Sequence, residues 1–412
     1  MEELMDTKKV LDYIVSNWAK TIRRPDDVIH GNIRIPFPFT VPDAEDTFTD
    51  FYYWDTYFHN IGLILSGREE QAENNLDVMK FFVGLLGYVP NANHITDRSQ
   101  PPLFTRGVFD LYKTTGDKAV ILRYIDALLK EHDFFVTKRT LPCGLCAYST
   151  AMTDDELLGN TWLFDRVGEP VPEKREDVIR MTRNLFAIAE SGWDFNPRFD
   201  TPEGRFRADE FIHLDLNCLL FDAERKISFM LREIGRNDDA DAMAELASER
   251  KELIEKYLHD PVSGLYLDYN FVREEFSSVV SAVSFYPYFS GISNDFEGAL
   301  KVLSRLELPH GIATCNERPG AAYLQWDFPA MWPSNVYFTV AALESAGLPD
   351  DARRIAYKYV ETATRVFEKT GCLWEKYDAL TAEVSVTNEY RTPKMLGWTA
   401  GVYQFMCAKY GF

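Results

Sequence analysis

The sequence predicts an all-α protein. Apolar residues recur at helical spacing in about a dozen stretches, residues that start and stop helices bound the clearest of them, and most connections are short enough to pair neighbouring helices.

The first of these helices spans about 4–20, and others follow near 56–66, 69–86 and 101–115. Ile121, Tyr124, Ile125, Leu128, Leu129, His132 and Phe135 then form one apolar stripe. Further helices are expected near 178–190 and 211–235. Met243, Leu246, Ala247, Leu253, Ile254, Tyr257 and Leu258 repeat the pattern ahead of Gly264, and segments 295–305, 333–346 and 398–409 continue it. The clearest runs from Ala352 to Phe367, opened by Pro349 and Asp350 and followed by Gly371. Periodicity alone is compatible with a toroid, a solenoid or a bundle, but no repeat of fixed period is visible, which counts against the solenoid.

No linker divides the 412 residues, so the whole chain, 1–412, is expected to be one large domain. The stretches 31–53, 87–100, 138–176, 191–210, 309–332 and 371–397 are irregular. They concentrate Gly, Pro, Trp and acidic residues, as loops that carry sites do.

A formal charge of −20 repels phosphate backbones and anionic lipid, which argues against nucleic acid or membrane as partner and for a neutral small molecule. Charged residues interrupt Met1 to Arg24, so no secretory leader is expected there and a cytoplasmic location is expected. Six cysteines make no disulfide framework, and Cys143 and Cys146 form a lone CxxC read as loop thiols. The seven histidines show no metal-ligand spacing, so no metal is expected.

Four short segments join aromatic to acidic residues: Tyr53-Trp54-Asp55, Gly192-Trp193-Asp194, Gln325-Trp326-Asp327 and Leu373-Trp374-Glu375. Carboxylates accept paired hydrogen bonds from vicinal hydroxyls, and an indole covers the apolar face of a pyranose. Each segment read alone is also a capping Asp beside a core Trp, but four together point to a carbohydrate site. Glycoside hydrolysis needs a carboxylic acid and a second carboxylate. From residue types alone, any two of Asp55, Asp194, Asp327 and Glu375 fill those posts.

In order along the chain, the segments resemble the trehalases, glycoside hydrolase family 37. Phe48, Tyr52, Trp54 and Asp55 match the first family signature, and Gln325 to Pro329 with Trp332 match the second. Pro90-Asn91-Ala92-Asn93, Arg98-Ser99-Gln100-Pro101-Pro102, Glu190 to Phe195, and Glu375-Lys376-Tyr377 also correspond to family motifs. This resemblance implies an (α/α)6 toroid and inverting hydrolysis of α,α-trehalose, with neither metal nor organic cofactor. It implies Asp194 as general acid and Glu375 as general base. By the same carry-over Phe48, Trp54, Asp55, Asn91, Arg98, Ser99, Gln100, Gly192, Gln325, Trp326, Trp332 and Glu389 would contact the sugar.

The role of general acid asks Asp194 to be protonated near neutral pH, which burial beside Trp193 and repulsion from another carboxylate would favour. Lys376 is expected to be solvated. The leaving-group side departs from the family. Thr47 stands where a ligand-contacting arginine is usual, an Arg-x-Glu pair before the acid is recoverable at most as Glu173, and Ala330-Met331 replaces Asn-Gly. Gly192 to Phe199 also resembles hydrolases of glucosylglycerate and mannosylglycerate. Such an α-glucoside, or a non-catalytic sugar-binding role, is therefore the alternative. A sugar epimerase would require paired histidines, for which His59, His94, His213 and His310 are available.

Overall fold

The computed structural model describes residues 6–27, 33–45, 47–321, 323–385 and 392–412. The helices among them are α1 (Lys8–Asn17), α2 (Tyr53–Leu65), α3 (Glu69–Leu86), α4 (Phe104–Thr115), α5 (Lys118–Lys138), α6 (Asp154–Leu158), α7 (Trp162–Val167) and α8 (Arg175–Glu190). Then come α9 (Leu214–Glu233), α10 (Asn237–Leu258), α11 (Tyr286–Ser290), α12 (Phe296–Leu306), α13 (Pro333–Ser345), α14 (Pro349–Thr370) and α15 (Gly397–Tyr410).

Helices α2, α4, α9, α11, α13 and α15 each touch the next, and α15 returns to α2, so they close a ring. Around it, α3 and α5 flank α4, α10 packs on α9, α12 on α13, and α14 on both α13 and α15. Tyr13 of α1 meets Phe367 of α14 edge-on at 5.0 Å. This is the closed (α/α)6 toroid, and a solenoid or open bundle is excluded by the α15 to α2 contact.

Burial follows from that arrangement. The inner helices α2, α13 and α15 bury residues on all sides, as a helix surrounded by others must, whereas α14 keeps one apolar stripe. The tightest seam joins α2 to α15. A Cβ at Gly401 would stand 2.0 Å from the Phe58 carbonyl oxygen, so only glycine permits this approach. Polar pairs tie the ring where it meets: Tyr57 and Tyr337 share a hydroxyl hydrogen bond of 2.8 Å, and Arg106 of α4 donates to Asp222 of α9 at 3.0 Å.

Two differences from the expected elements matter. Segment 138–176 is not all loop: α6 and α7 lie in it, packed beside α8 over one end of the toroid. Residues 282–290 form a short 3-10 turn and α11, every residue of which is buried, so no polar face marks them in the sequence. The strands are two-residue ties. Ala330–Met331 pairs antiparallel with Tyr377–Asp378 and so joins the loops at 309–332 and 371–397.

Candidate active site

The amino ends of three inner helices, α2, α13 and α15, meet one cavity of about 480 Å³. Trp54 and Asp55 come from the first turn of α2, Trp332 is the N-cap of α13, and Trp398 opens α15. The structure brings Phe48, Trp54, Asp55, Asn91, Arg98, Gln100, Gly192, Asp194, Trp326, Trp332 and Glu375 to its wall. Ser99 and Gln325 are buried behind it rather than lining it, which corrects their expected sugar contacts. Glu389 lies outside the described residues.

The loops are locked to the helices by backbone groups. Gln100 Oε1 accepts from the Trp54 amide at 3.1 Å, and the Asn91 carbonyl from the Tyr53 amide at 3.0 Å. Those amides are among the donors that a helix start leaves unpaired, so segment 87–100 completes α2 while delivering Asn91, Arg98 and Gln100. The Asp43 carboxylate accepts from the amides of Thr47 and Phe48, both at 3.0 Å, and so folds the turn that presents Phe48.

Ser99 has a structural task. Its amide donates to Glu190 Oε1 at 2.9 Å and its hydroxyl to the Val89 carbonyl at 2.7 Å. Gly192 has φ +76°, and a Cβ there would stand 2.9 Å from the Trp54 indole. Only glycine combines that backbone with that approach.

Behind the next loop, Arg198 is fully buried between two carboxylates. It reaches Asp215 at 2.7 Å and Asp268 at 2.9 Å, with its guanidinium 5.2 Å from the Trp193 ring. This paired cation supports the segment that carries Asp194 from below.

Indoles build one wall. Trp326 stacks on Trp332 at 3.7 Å and on Trp193 at 5.4 Å, while Trp398 meets Trp332 edge-on at 5.4 Å. Such contacts favour a rigid apolar surface, the kind that a sugar ring covers.

Four carboxyl groups line this cavity, those of Asp55, Asp97, Asp194 and Glu375, and Asp97 pairs with Arg98 at 2.6 Å. Asp55 is pushed up to about 8, first by burial and then by the charges of Glu375 and Asp194. Glu375 is buried and pairs with Lys376, Nζ to Oε2 3.1 Å. Asp194 is only partly buried: its side chain keeps 33% exposure and pairs with Arg166 at 2.8 Å. Asp327, the fourth candidate, drops out. It is absent from the cavity wall, pairs with Arg318 and accepts from the Leu324 and Phe328 amides.

Several functional candidates were not anticipated. Lys376 is fully buried rather than solvated, with its ammonium 4.6 Å from the Trp332 ring centre. Arg166 on α7 places a cation beside Asp194; Glu173, the residue the family pattern pointed to, is exposed and away from the cavity. Tyr52, Asn160, Trp162 and Trp398 also line the wall. A usable signal for the α6–α7 segment was present: Thr153-Asp154-Asp155-Glu156 reads as a capping box, and the structure forms it.

The histidines do not pair here. Only His94 of the four reaches the cavity, 3.4 Å from Asp50, while His59 is buried against Thr40 and lowered by burial to about 3. An epimerase-type histidine pair is therefore not assembled among the described residues.

A family model described as Trehalase matches residues 2–411. A periplasmic trehalase of Xanthomonas campestris pv. campestris is 30% identical over 418 residues, covering 95% of this chain and 72% of that protein. One from Xanthomonas oryzae pv. oryzae is 30% identical over 93% of this chain and 70% of its own length. Among solved structures, the neutral trehalase Nth1 from Saccharomyces cerevisiae has a TM-score of 0.73 at 24% identity, covering 91% of this chain and 73% of that one. A GH63 mannosylglycerate hydrolase from Thermus thermophilus, in complex with glucose, has a TM-score of 0.67 at 18% identity over 96% of this chain and 98% of its own. Both share the fold. The names of the Xanthomonas relatives overturn the cytoplasmic expectation. That expectation rested on the charge pattern of the first residues, which bears on a leader and not on where a folded domain works.

Proposed function

The chain belongs to the trehalase family, and on that premise we propose that it hydrolyses α,α-trehalose to glucose with inversion, residues 1–412 acting as one catalytic domain. One observation carries the assignment of roles: Asp194 and Glu375, far apart in sequence, line one cavity together with an Asp55 that senses both charges.

In this reading Asp194 gives its proton to the glycosidic oxygen as the C–O bond breaks. Glu375 takes a proton from the water that attacks the anomeric carbon from the opposite face. The Lys376 ammonium offsets the buried Glu375 charge, which keeps a base available beside the indole wall. Trp54, Asp55, Asn91, Arg98 and Gln100 hold the glucosyl unit whose bond breaks. Arg166 and the one-third-exposed face of Asp194 mark the leaving-group side, where the entering sugar would exclude water. A cavity of about 480 Å³ suits a disaccharide-sized ligand. The names of the relatives support a periplasmic rather than a cytoplasmic location.

The test is anomer-resolved proton NMR of trehalose turnover, read before mutarotation. Inversion yields equal amounts of β- and α-glucose at first. Exclusive α-glucose overturns the inverting mechanism, and no glucose at all overturns the trehalase reading.

A further inference from the structure

Trp162 is the one tryptophan of the cavity wall that is open to solvent. Its exposure is 56%, against 1–4% for Trp54, Trp326, Trp332 and Trp398. Those four pack on one another and form the wall itself. Trp162 instead leaves ring surface uncovered at the rim, where a ligand entering the cavity can reach it.

The ring is also held in place. Its Nε1–H donates to Asn160 Oδ1 at 3.1 Å, and Asn160 in turn donates through Nδ2 to the Glu156 carbonyl of α6 at 2.8 Å. Leu163 and Phe164, next to it on α7, are buried and anchor the helix, and Glu169 beyond its end pairs with Arg205 at 2.9 Å. A fixed aromatic face loses little freedom when a ligand covers it.

Position assigns the ligand. Arg166 lies four residues on, so it shares a helix face with Trp162. Its Nη2 reaches Asp194 Oδ2 at 2.8 Å and the Asp194 carbonyl at 3.1 Å. A general acid stands at the glycosidic oxygen, with the cleaved sugar on one side and the leaving group on the other. The cleaved sugar's side is occupied by Trp54, Asp55 and Gln100, so α7 flanks the leaving group.

We propose that Trp162 is the stacking platform for the leaving-group sugar and so determines which α-glucosides are accepted; this rests on the glycosidase reading of the same cavity. The C–H face of a pyranose covers the indole, while Arg166 meets its hydroxyls.

The experiment compares kcat/KM for trehalose with kcat/KM for α-glucosyl fluoride, whose leaving group is a single atom, in the wild type, Trp162→Ala and Trp162→Phe. Trp162→Ala is expected to lower the trehalose-to-fluoride ratio by about tenfold, and Trp162→Phe to recover most of it. A ratio unchanged by Trp162→Ala, whether both constants fall together or neither falls, overturns the platform and leaves the trehalase reading standing. A wild-type chain that turns over neither substrate overturns both.

Discussion

The Lys376 ammonium stands 3.1 Å from Glu375 Oε2, and neither side chain keeps more than 5% of its surface in water. A buried carboxylate without a cation is disfavoured, and removing one member of such a pair costs about 3–5 kcal/mol. Lys376→Met should therefore destabilise the fold by about that amount. It should also move the rising limb of the kcat profile to higher pH, because a carboxyl that has lost its neighbouring cation keeps its proton longer. Urea unfolding and a pH–rate series measure the two effects. A limb that stays in place would remove Lys376 from any part in setting the base.

Asp194→Asn and Glu375→Gln keep shape and remove proton transfer, so each should lower trehalose turnover by about 10²–10⁴-fold. Asp194→Asn should unfold as the wild type does, whereas Glu375→Gln takes the paired charge from the buried Lys376 ammonium and should lose stability as Lys376→Met does. The two should part company on α-glucosyl fluoride. Fluoride departs with little need of a proton, so Asp194→Asn should retain far more of that activity than of trehalose activity. Glu375→Gln should lose both, since attack by water is still required. Equal losses on both substrates in both variants would contradict the assignment of acid and base.

The helices were legible because each long one buries a stripe and carries its own stop signals: the helix read around 352–367 is α14, closed by Gly371 at φ +72°. Tyr286–Ser290 was not, because a helix buried on every side has no periodic contrast to read. Within the site, motif membership marked the neighbourhood and not the role. Ser99, Glu190 and Asp327 sit in the same motifs as Gln100, Asp194 and Trp326, yet Glu190 and Asp327 bind backbone amides and arginines behind the wall, and Ser99 binds the Glu190 carboxylate and the Val89 carbonyl. Arg166 escaped notice since its contact with Asp194 joins α7 to the loop after α8, and no local pattern records that pairing.

Asp55 gives the site a pH-dependent effect on stability. Raised from 3.8 to about 8, it keeps in the folded state a proton that the unfolded chain releases near pH 4. Its contribution is thus fully present below about pH 4 and lost as pH rises through about 8. Asp55→Asn, which cannot ionise, should flatten that decline. Relative to wild type its unfolding free energy should improve between pH 6 and pH 9 by at least about 1.4 kcal/mol, the equivalent of one pKa unit. Parallel stability profiles for the two proteins would show that Asp55 is ionised in the folded state throughout.

Glu190 offers the sharpest separation of support from chemistry. Its Oε1 accepts from Arg139 Nη2 at 2.7 Å and the Ser99 amide at 2.9 Å, and its Oε2 from Arg139 Nε and the Ser149 amide, both at 2.7 Å. One buried carboxylate thus joins the end of α5, the segment bearing Arg98 and Gln100, and the chain leading to α6. Glu190→Leu should cost about 3–5 kcal/mol, since it leaves a buried guanidinium and two amides without an acceptor. Adding Arg139→Met removes the stranded cation, so the double variant should be more stable than Glu190→Leu alone, a coupling that a double-mutant cycle measures directly. Activity should not follow stability. The Ser99 amide still lacks its acceptor in the double variant, so Arg98 and Gln100 remain poorly placed and KM for trehalose should stay raised. Recovery of KM together with stability would mean that Glu190 acts only through Arg139, and that the Ser99 hydrogen bond does not position the sugar-binding segment.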